Sequence, residues 1–274
     1  ELEVLPEPTT VHEPDHDTLR VRQHAFGYTV EDLKMILSPM ARTGEEAIGS
    51  MGTDTPLACL SDRPQLLYQY FRQLFAQVTN PPLDAIREEL VTSNYTYIGR
   101  EGNLLSESPF HARLIKLKSP IISNTELEKL RQVNVGRLKA VTLPMLFKAS
   151  AGEEGLQTAV DELCKAAAEA VKAGASILIL SDRGVDRDNV PIPSLLATAA
   201  VHHHLIREGT RTQAGLVVET GEAREAHHFC LLIGYGAGAV NPYLVFETLA
   251  DLHRDGILPP DLTLEQARKN YIKA

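Results

Sequence analysis

Hydrophobic positions recur at helical spacing in the first part of the chain and in short continuous runs in the second part. The spacing predicts a helix over residues 29–40, a second helix beginning at Pro64, and a short third one over residues 84–90. Residues 112–117 are strand-like. We therefore expect residues 23–122 to form a mainly helical first part of the domain.

From residue 123 to residue 274, short apolar runs alternate with longer amphipathic stretches. The runs predict strands over residues 138–143, 176–180, 215–219 and 238–240, and the stretches predict helices over residues 153–173, 194–207, 223–233, 243–252 and 263–273. Such alternation is typical of parallel βα units. The predicted fold class is α/β, and about four units resemble an incomplete or degenerate (β/α)8 (TIM-like) barrel.

The composition excludes several classes of protein. Of 274 residues, 43% are hydrophobic and 23% charged, which argues against bulk disorder. The net charge of −9 gives no whole-chain footprint for nucleic acid. Uncharged runs at 189–206 and 229–246 are interrupted by proline, histidine and glycine, so neither predicts a membrane span. We expect a soluble protein that binds neither nucleic acid nor membrane.

Cysteine usage indicates a reducing compartment. Cys59, Cys164 and Cys230 lie far apart, without a Cys-x-x-Cys pair, and predict neither a disulfide framework nor a zinc site. Each is interpreted as a small buried apolar residue rather than a nucleophile. The first residue is Glu1 rather than Met, which we interpret as a piece cut from a longer polypeptide.

Charge is unevenly distributed along the chain. Residues 1–17 hold six acidic residues, no Lys or Arg and three prolines, so residues 1–22 are predicted to be an acidic linker. Residues 111–148 carry a local charge of +6. This basic segment is interpreted as a solvated face, with docking to an acidic neighbour as the alternative.

Polar residues follow the predicted parallel strands. Asp182 and Arg183 come after the second strand, Glu219 ends the third, and Asn241 follows the fourth. Because catalytic groups in parallel α/β folds lie at these carboxyl ends, the four residues could bind a small polar ligand. They could equally shape the turns and cap the next helices, and both interpretations stay open.

Other motifs that resemble sites are weak. The histidines at 202–204 and 227–228 lack the i, i+4 spacing of a helical metal site. The glycines at 234–238 follow a helix rather than a strand, so they predict a helix-to-strand turn rather than a dinucleotide loop. We therefore predict no catalytic, cofactor-binding or metal-binding residue in this chain.

The most distinctive stretch is residues 49–58, a loop of glycines and small hydroxyl side chains around Asp54. It holds no titratable pair suited to acid–base chemistry. Its composition is typical of a loop with a fixed backbone, such as the wall of a conduit or a docking loop.

Several ordered motifs resemble the central domain of the glutamate synthase large subunit. They are GSMGTDTPLA at 49–58, SDRP at 61–64, FAQVTNPP at 75–82, IREE at 86–89, LSDR at 180–183, PIPSL at 191–195, HHHL at 202–205 and NPY at 241–243. Two small departures are Cys59 in place of valine and Ala85 in place of proline. The resemblance covers nearly the whole chain after the acidic linker and marks residues 23–274 as this central domain.

The resemblance implies a large flavoenzyme that makes glutamate from glutamine and 2-oxoglutarate. An amidotransferase domain would release ammonia, and an FMN-binding domain with an iron–sulfur cluster would complete the reductive step. The central domain would connect the two, hold no cofactor and help to line the ammonia path. The electron donor, ferredoxin or an NAD(P)H-oxidising subunit, would contact the parent enzyme rather than this domain, in the cytoplasm or a plastid stroma.

The family location, combined with the loop composition, indicates candidates for the tunnel or interdomain wall. They are Ser50, Met51, Thr53, Thr55 and Asn80. Two other classes of function stay open: a free-standing α/β small-molecule enzyme or binding domain that uses the strand-end residues, and an interaction domain that docks through the basic segment.

Overall fold

The computed structural model describes residues 1–47, 56–72, 82–103 and 105–274. Its first part contains short helices and one hairpin. The helices are α1 (Leu19–Ala25), a π-helix at Asp32–Leu37 that continues into α2 (Ser38–Thr43), and α3 (Ala85–Val91). One-turn 3-10 helices lie at Leu2–Val4, Ala58–Leu60, Leu67–Phe71 and Pro109–Ala112. Strands β1 (Thr96–Ile98) and β2 (Ile115–Leu117) pair antiparallel.

The predicted helix over residues 29–40 is confirmed, and its first turn is held by a reciprocal cap. The Thr29 hydroxyl accepts a hydrogen bond from the Asp32 backbone N–H, and the Asp32 carboxylate accepts one from the Thr29 N–H. The helix predicted from Pro64 is wrong within the described residues 56–72, because the chain from Pro64 to Leu66 is not helical, Leu67–Phe71 is a 3-10 helix and Arg72 is extended. The later part of that prediction falls on residues 73–80, outside the described part of the chain. Tyr68 is fully buried, and its hydroxyl lies 2.5 Å from Ser194 Oγ. This long-range contact overrides the local preference for helix.

The second part alternates strands and helices. The strands are β3 (Asn134–Val135), β4 (Leu138–Pro144), β5 (Leu146–Lys148), β6 (Ile177–Ser181), β7 (Asn189–Pro191), β8 (Gly215–Glu219) and β9 (Ala239–Asn241). The helices are α4 (Asn124–Arg131), α5 (Gly152–Lys172), α6 (Ser194–Arg207), α7 (Ala226–Gly234), α8 (Tyr243–Arg254) and α9 (Leu264–Lys273). The predicted βα alternation is therefore confirmed.

The central sheet has the order β3-β4-β6-β8-β9. Strands β4, β6, β8 and β9 are parallel, and β3 is antiparallel to β4. Beyond β9, Ile121 forms a single parallel bridge to Val240. Within the residues that the structure describes, the sheet does not close on itself, so the α/β class is confirmed and the TIM-like barrel is not. Closure requires tilted, staggered strands around a full circle, and four parallel strands leave an open sheet.

Both faces of the central sheet are buried along β6, β8 and β9, which explains why these strands are apolar runs, whereas β4 keeps exposed positions. Ile177, Ile179 and Val217 face a smaller core built with β1, β2 and α4. The alternate residues of the same strands, such as Leu178 and Val218, face the larger core formed with the surrounding helices.

The acidic N-terminal segment lies against the body of the domain. Leu2 is only 4% exposed. Glu3 pairs with Lys118 and Glu7 with Lys129, each at 2.6 Å, so two cations of the basic segment meet acids of the same chain. In the described residues we find no helix that combines the length and the apolar character needed to cross a membrane.

Candidate functional site

The carboxyl ends of the parallel strands bring together the polar residues that the sequence singled out. Ser181, Glu219 and Asn241 are register partners across β6, β8 and β9. Asp182 directly follows β6, and its backbone N–H donates to the Glu219 carbonyl at 3.1 Å. Arg183 reaches back to the Glu219 side chain. The predicted grouping at one edge of the sheet is therefore observed.

Glu219 is the centre of this group. It is 1% exposed and is held by two arginines: Arg183 Nε lies 2.6 Å from one carboxylate oxygen, and Arg131 Nη2 lies 2.8 Å from the other. The Ser181 hydroxyl donates to the second oxygen at 2.6 Å. Burial alone would raise the pKa of Glu219, but the two guanidinium groups outweigh burial and lower it. Glu219 is therefore an ionised carboxylate with its oxygens already occupied.

The ion pairs continue on both sides of Glu219. Arg183 also donates to Glu247 at 3.1 Å, and its guanidinium lies over the Tyr243 ring at 4.0 Å. The result is an alternating series that we call the strand-end ion chain, and it runs Arg22–Glu247–Arg183–Glu219–Arg131–Glu128. Three positive and three negative charges cancel, so the chain offers little net field to a charged substrate.

Asp182 lies beside this chain in a different environment. It is 1% exposed, and it accepts hydrogen bonds from the Thr220 hydroxyl at 2.5 Å and the Gly221 N–H at 3.0 Å. Burial raises the pKa of Asp182 to about 7, because these hydrogen bonds and that of Tyr243 only partly offset the loss of water around the charge.

Asn241 ties the last strand to the segment that precedes α4. Its side-chain amide donates to the Ile122 carbonyl at 2.9 Å and to Asn124 Oδ1 at 3.1 Å. Asn241 therefore secures a backbone crossing at the sheet edge, which is a structural task.

A second buried polar group was not predicted from the sequence. Glu222 accepts hydrogen bonds from the backbone N–H and the hydroxyl of Ser194, at 2.8 and 2.6 Å, and Ser194 in turn contacts Tyr68. Burial raises the pKa of Glu222. The dense charge of residues 219–225 between two apolar runs is the sequence signal that could have revealed this group.

Next to that group, His228 stacks on Tyr68 with ring centroids 4.3 Å apart, and its Nε2 lies 3.0 Å from Glu225. Burial lowers the pKa of His228 despite this carboxylate. Glu225 also pairs with Arg72; burial opposes its ionisation, but the histidine and the arginine together lower its pKa to about 2.

The contacts described above already occupy the charged side chains at the strand ends. The charged groups of the ion chain contact one another, and two cavities of about 610 and 620 Å³ lie elsewhere, at the opposite edge of the sheet and beside α5. The arrangement supports the interpretation in which Arg183 and Glu219 stabilise the domain, rather than the interpretation in which they bind substrate.

The histidines and cysteines are likewise dispersed. His202 Nδ1 accepts a hydrogen bond from Arg211 at 2.9 Å, and His227 contacts the Tyr68 carbonyl. Across the described ranges, no group of three or more His, Cys, Asp or Glu side chains is placed to hold a metal ion. The three cysteines occupy separate elements and supply no ligand set for an iron–sulfur cluster there. Cys164 is buried as expected, but Cys59 and Cys230 are exposed, so the expectation of burial is wrong for these two.

The predicted wall residues are outside the described part of the chain. Ser50, Met51, Thr53 and Thr55 fall within residues 48–55, and Asn80 falls within residues 73–81. Their role stays a prediction.

Taken together, the described residues form an α/β domain with an open, mainly parallel sheet whose strand-end charges pair with one another. Residues 21–274 match the family described as "Glutamate synthase central domain", and the chain belongs to that family.

The chain is similar to several curated proteins from bacteria, yeast and plants. It is 46% identical over 273 residues to the glutamate synthase [NADPH] large chain of Bacillus subtilis, covering 100% of this chain and 18% of that protein. It is 47% identical over 251 residues to the glutamate synthase [NADH] of Schizosaccharomyces pombe, covering 90% and 12%. It is 44% identical over 272 residues to the chloroplastic ferredoxin-dependent glutamate synthase of Spinacia oleracea, covering 95% and 17%. The chain thus spans less than a fifth of the length of these relatives.

Proposed function

We propose that this chain is the non-catalytic central domain of a glutamate synthase. In that role it connects the glutamine amidotransferase domain to the FMN-binding synthase domain and helps to line the path of ammonia between them. The observation that carries the proposal is the family match over residues 21–274, in a chain that spans only 18% of the B. subtilis relative. The neutralised strand ends support it, since the charged residues there pair with one another instead of facing an open site.

The proposal places the redox chemistry outside this chain. FMN and an iron–sulfur cluster would belong to the neighbouring synthase domain and would supply electrons for the reductive step there. Relatives named for NADPH, NADH and ferredoxin share 43–48% identity with this chain. Overall identity in this domain therefore does not separate these relatives by electron donor. We further infer that the four βα units resemble an incomplete or degenerate (β/α)8 barrel.

An ammonia path needs walls that exclude bulk water, because ammonia that is protonated to ammonium loses its nucleophilic lone pair. Small hydroxyl side chains and backbone carbonyls can hydrogen-bond ammonia weakly without trapping it. The segment that contains Ser50, Met51, Thr53 and Thr55 has this composition, and Asn80 is proposed to lie near the same interdomain junction.

The test uses the full-length polypeptide that carries this domain. Ser50→Trp and Thr53→Trp are expected to leave glutamine hydrolysis active while glutamate formation falls severalfold, because the bulky ring obstructs the path. The ratio of glutamine consumed to glutamate formed by reductive synthesis is measured with 2-oxoglutarate and electron donor in excess. Thr158→Trp, on the exposed side of α5, is the matched control and should keep the parent ratio. Unchanged coupling in both test variants would reject the tunnel assignment.

A free-standing small-molecule enzyme would need the strand-end charges to be available to a ligand. The ion pairs of Arg183 and Glu219 oppose this alternative. Saturable binding of a metabolite that Arg183→Met abolishes, with folding intact, would favour it over the central-domain role.

A further inference from the structure

A cavity of about 610 Å³ lies at the amino-terminal edge of the central sheet, opposite the strand-end ion chain. Its walls come from the loops that follow β1 and precede β2, the turn between β3 and β4, and the residues after α5. The Glu101 backbone N–H donates to the Thr212 carbonyl at 2.8 Å, which fixes the first of these loops to the 3-10 turn that precedes β8. The cavity therefore belongs to the folded domain, and its volume is typical of a small-molecule site.

Cations dominate the lining of this cavity. Arg100, Arg113 and Arg137 line it together with His111. The guanidinium carbons of Arg113 and Arg137 lie 4.6 and 4.2 Å from the centroid of the same ring, that of Phe110, so the two positive charges are held near each other.

His111 is also fixed in the wall. A Cβ added at Gly102 would lie only 2.6 to 2.9 Å from three atoms of the imidazole. The ring therefore packs directly on the loop backbone, at a position where only glycine leaves room.

Three other cations of the basic segment are already paired with acids of the same chain. Lys118 and Lys129 pair with acids of the N-terminal segment, and Arg131 pairs with Glu219. In the part of the chain that the structure describes, Arg113 and Arg137 form no ion pair. Like charges that are held together without a counter-charge repel each other, and an anion in the cavity would relieve this repulsion.

Two features of the wall oppose an anion. Glu101 is an acidic lining residue, and its charge would repel an anion. That charge is partly offset by the half-buried Arg211, whose charged form Glu101 favours. The carboxyl end of α5 borders the cavity at Val171 and Gly174, and the helix dipole is negative there. The arginines of the cavity must therefore supply the attraction for an anion, so binding should depend on them.

We propose that this cavity binds a compact polyanion that carries phosphate or carboxylate groups. Guanidinium groups match the planar geometry of both groups and can donate two parallel hydrogen bonds to each. Three arginines around one concave site suit a ligand with two or more such groups. This inference goes beyond the proposed function and does not rest on it.

The experiment measures binding of two probes to the full-length polypeptide by titration calorimetry at low ionic strength. Pyrophosphate is the phosphate probe and citrate is the carboxylate probe. The double variant Arg113→Gln/Arg137→Gln is expected to weaken binding at least tenfold, since each lost hydrogen bond to a charged group contributes about a factor of ten or more. Both arginines are exposed, so the double variant should fold. Arg20→Gln/Arg87→Gln, which replaces two exposed arginines on α1 and α3 outside the cavity, is the charge-matched control and should bind as the parent does.

Saturable 1:1 binding of either probe that follows this pattern supports the proposal, and the tighter probe identifies the source as a phosphate or a carboxylate compound. The proposal is overturned if neither probe binds saturably, as would happen if an acidic segment of a neighbouring domain filled the cavity. It is also overturned if Arg113→Gln/Arg137→Gln binds as tightly as the parent, or if the control Arg20→Gln/Arg87→Gln loses as much affinity as that variant.

Discussion

Arg183 holds two buried carboxylates at once, those of Glu219 and Glu247. Each of these glutamates has a second arginine as partner, Arg131 or Arg22. Moving charges out of water has a large free-energy cost, and the alternating arrangement offsets that cost only while every member is present. The strand-end ion chain should therefore respond to the loss of one charge much more strongly than a surface ion pair does.

Arg183→Met, which removes the charge at similar volume, is expected to lower the free energy of unfolding by about 3–5 kcal/mol, because two buried carboxylates each lose a cation. The measurement is urea unfolding of the chain at pH 7. Arg254→Met removes an arginine whose side chain is 52% exposed and pairs with Asp251, and it should cost less than about 1 kcal/mol. Equal losses in the two variants would contradict the role given to the ion chain.

Residue by residue, the sequence predicts where the site residues meet but not what they do. Parallel strands end at one edge, so Asp182, Glu219 and Asn241 had to come together. The sequence offers no comparable rule for the arginines that pair with the glutamates at this edge. Arg131 lies 88 positions before Glu219, and Arg22 lies 225 positions before Glu247. Only the tertiary packing of α1, α4 and α8 on the sheet edge selects these pairs, so the choice between ligand binding and internal pairing stayed open in the sequence.

At the scale of elements, the second part was predicted far better than the first. The strand predicted over residues 215–219 is β8 without change, and the helix predicted over 194–207 is α6. In these segments the hydrophobic pattern of the sequence and the burial seen in the structure favour the same elements. The helix prediction for the segment after Pro64 is wrong because the burial of Tyr68, rather than the local sequence, determines the backbone conformation there.

The turn after β8 depends on a close approach between elements. A Cβ added at Gly221 would lie 2.5 Å from Cε2 of Phe26, which is 3% exposed and follows α1. The backbone N–H of Gly221 also donates to Asp182, so the turn cannot shift freely. Gly221 therefore sets the distance between α1 and the carboxyl edge of the sheet.

Gly221→Ala is expected to destabilise the chain by about 1–3 kcal/mol, because the added methyl group overpacks a buried contact. Gly234→Ala is the control, since a Cβ there meets nothing within 4 Å and the residue ends helix α7. That substitution should be neutral or slightly stabilising. Thermal unfolding of both variants checks the prediction, which is refuted if Gly221→Ala melts with the parent protein.

At the scale of the whole molecule, the free energy of unfolding depends on pH through buried carboxyl groups. Groups with raised pKa values and groups with lowered pKa values change it in opposite directions. Burial raises the pKa of Asp182 to about 7 from an ordinary value of 3.8. The folded protein therefore holds a proton that the unfolded chain releases, and the contribution of Asp182 to the free energy of unfolding falls as the pH rises from about 4 to 7. Glu219 and Glu225, whose pKa values are lowered, contribute stability that is lost as the pH falls.

Asp182→Asn isolates the first of these effects because the amide cannot ionise. Its carbonyl oxygen can still accept the hydrogen bond from Gly221. The variant is expected to become more stable than the parent as the pH rises from 4 to 7.5, by on the order of 1.4 kcal/mol for each unit of pKa difference. Urea unfolding at three pH values in that interval measures the difference.

Asp186→Asn provides a control of the opposite sign. Hydrogen bonds from Asn189 lower the pKa of the exposed Asp186. That variant should therefore be less stable than the parent at neutral pH, and the gap should close on acidification. If Asp182→Asn follows the parent at every pH, the carboxyl of Asp182 is ionised in the folded protein and our assignment of its protonation is wrong.

The docking of α1 has a consequence for synthesis on the ribosome. Arg22 pairs with Glu247, Gln23 hydrogen-bonds Thr248, and the carbonyl of Phe26 accepts from Arg224. Translation at roughly 5–20 residues per second separates α1 from these partners by ten seconds or more. During that interval α1 lacks these native partners. Docking of α1 is therefore among the last steps in the folding of this domain during translation, and a ribosome that stalls before α8 leaves α1 without its partners and open to chaperones and proteases.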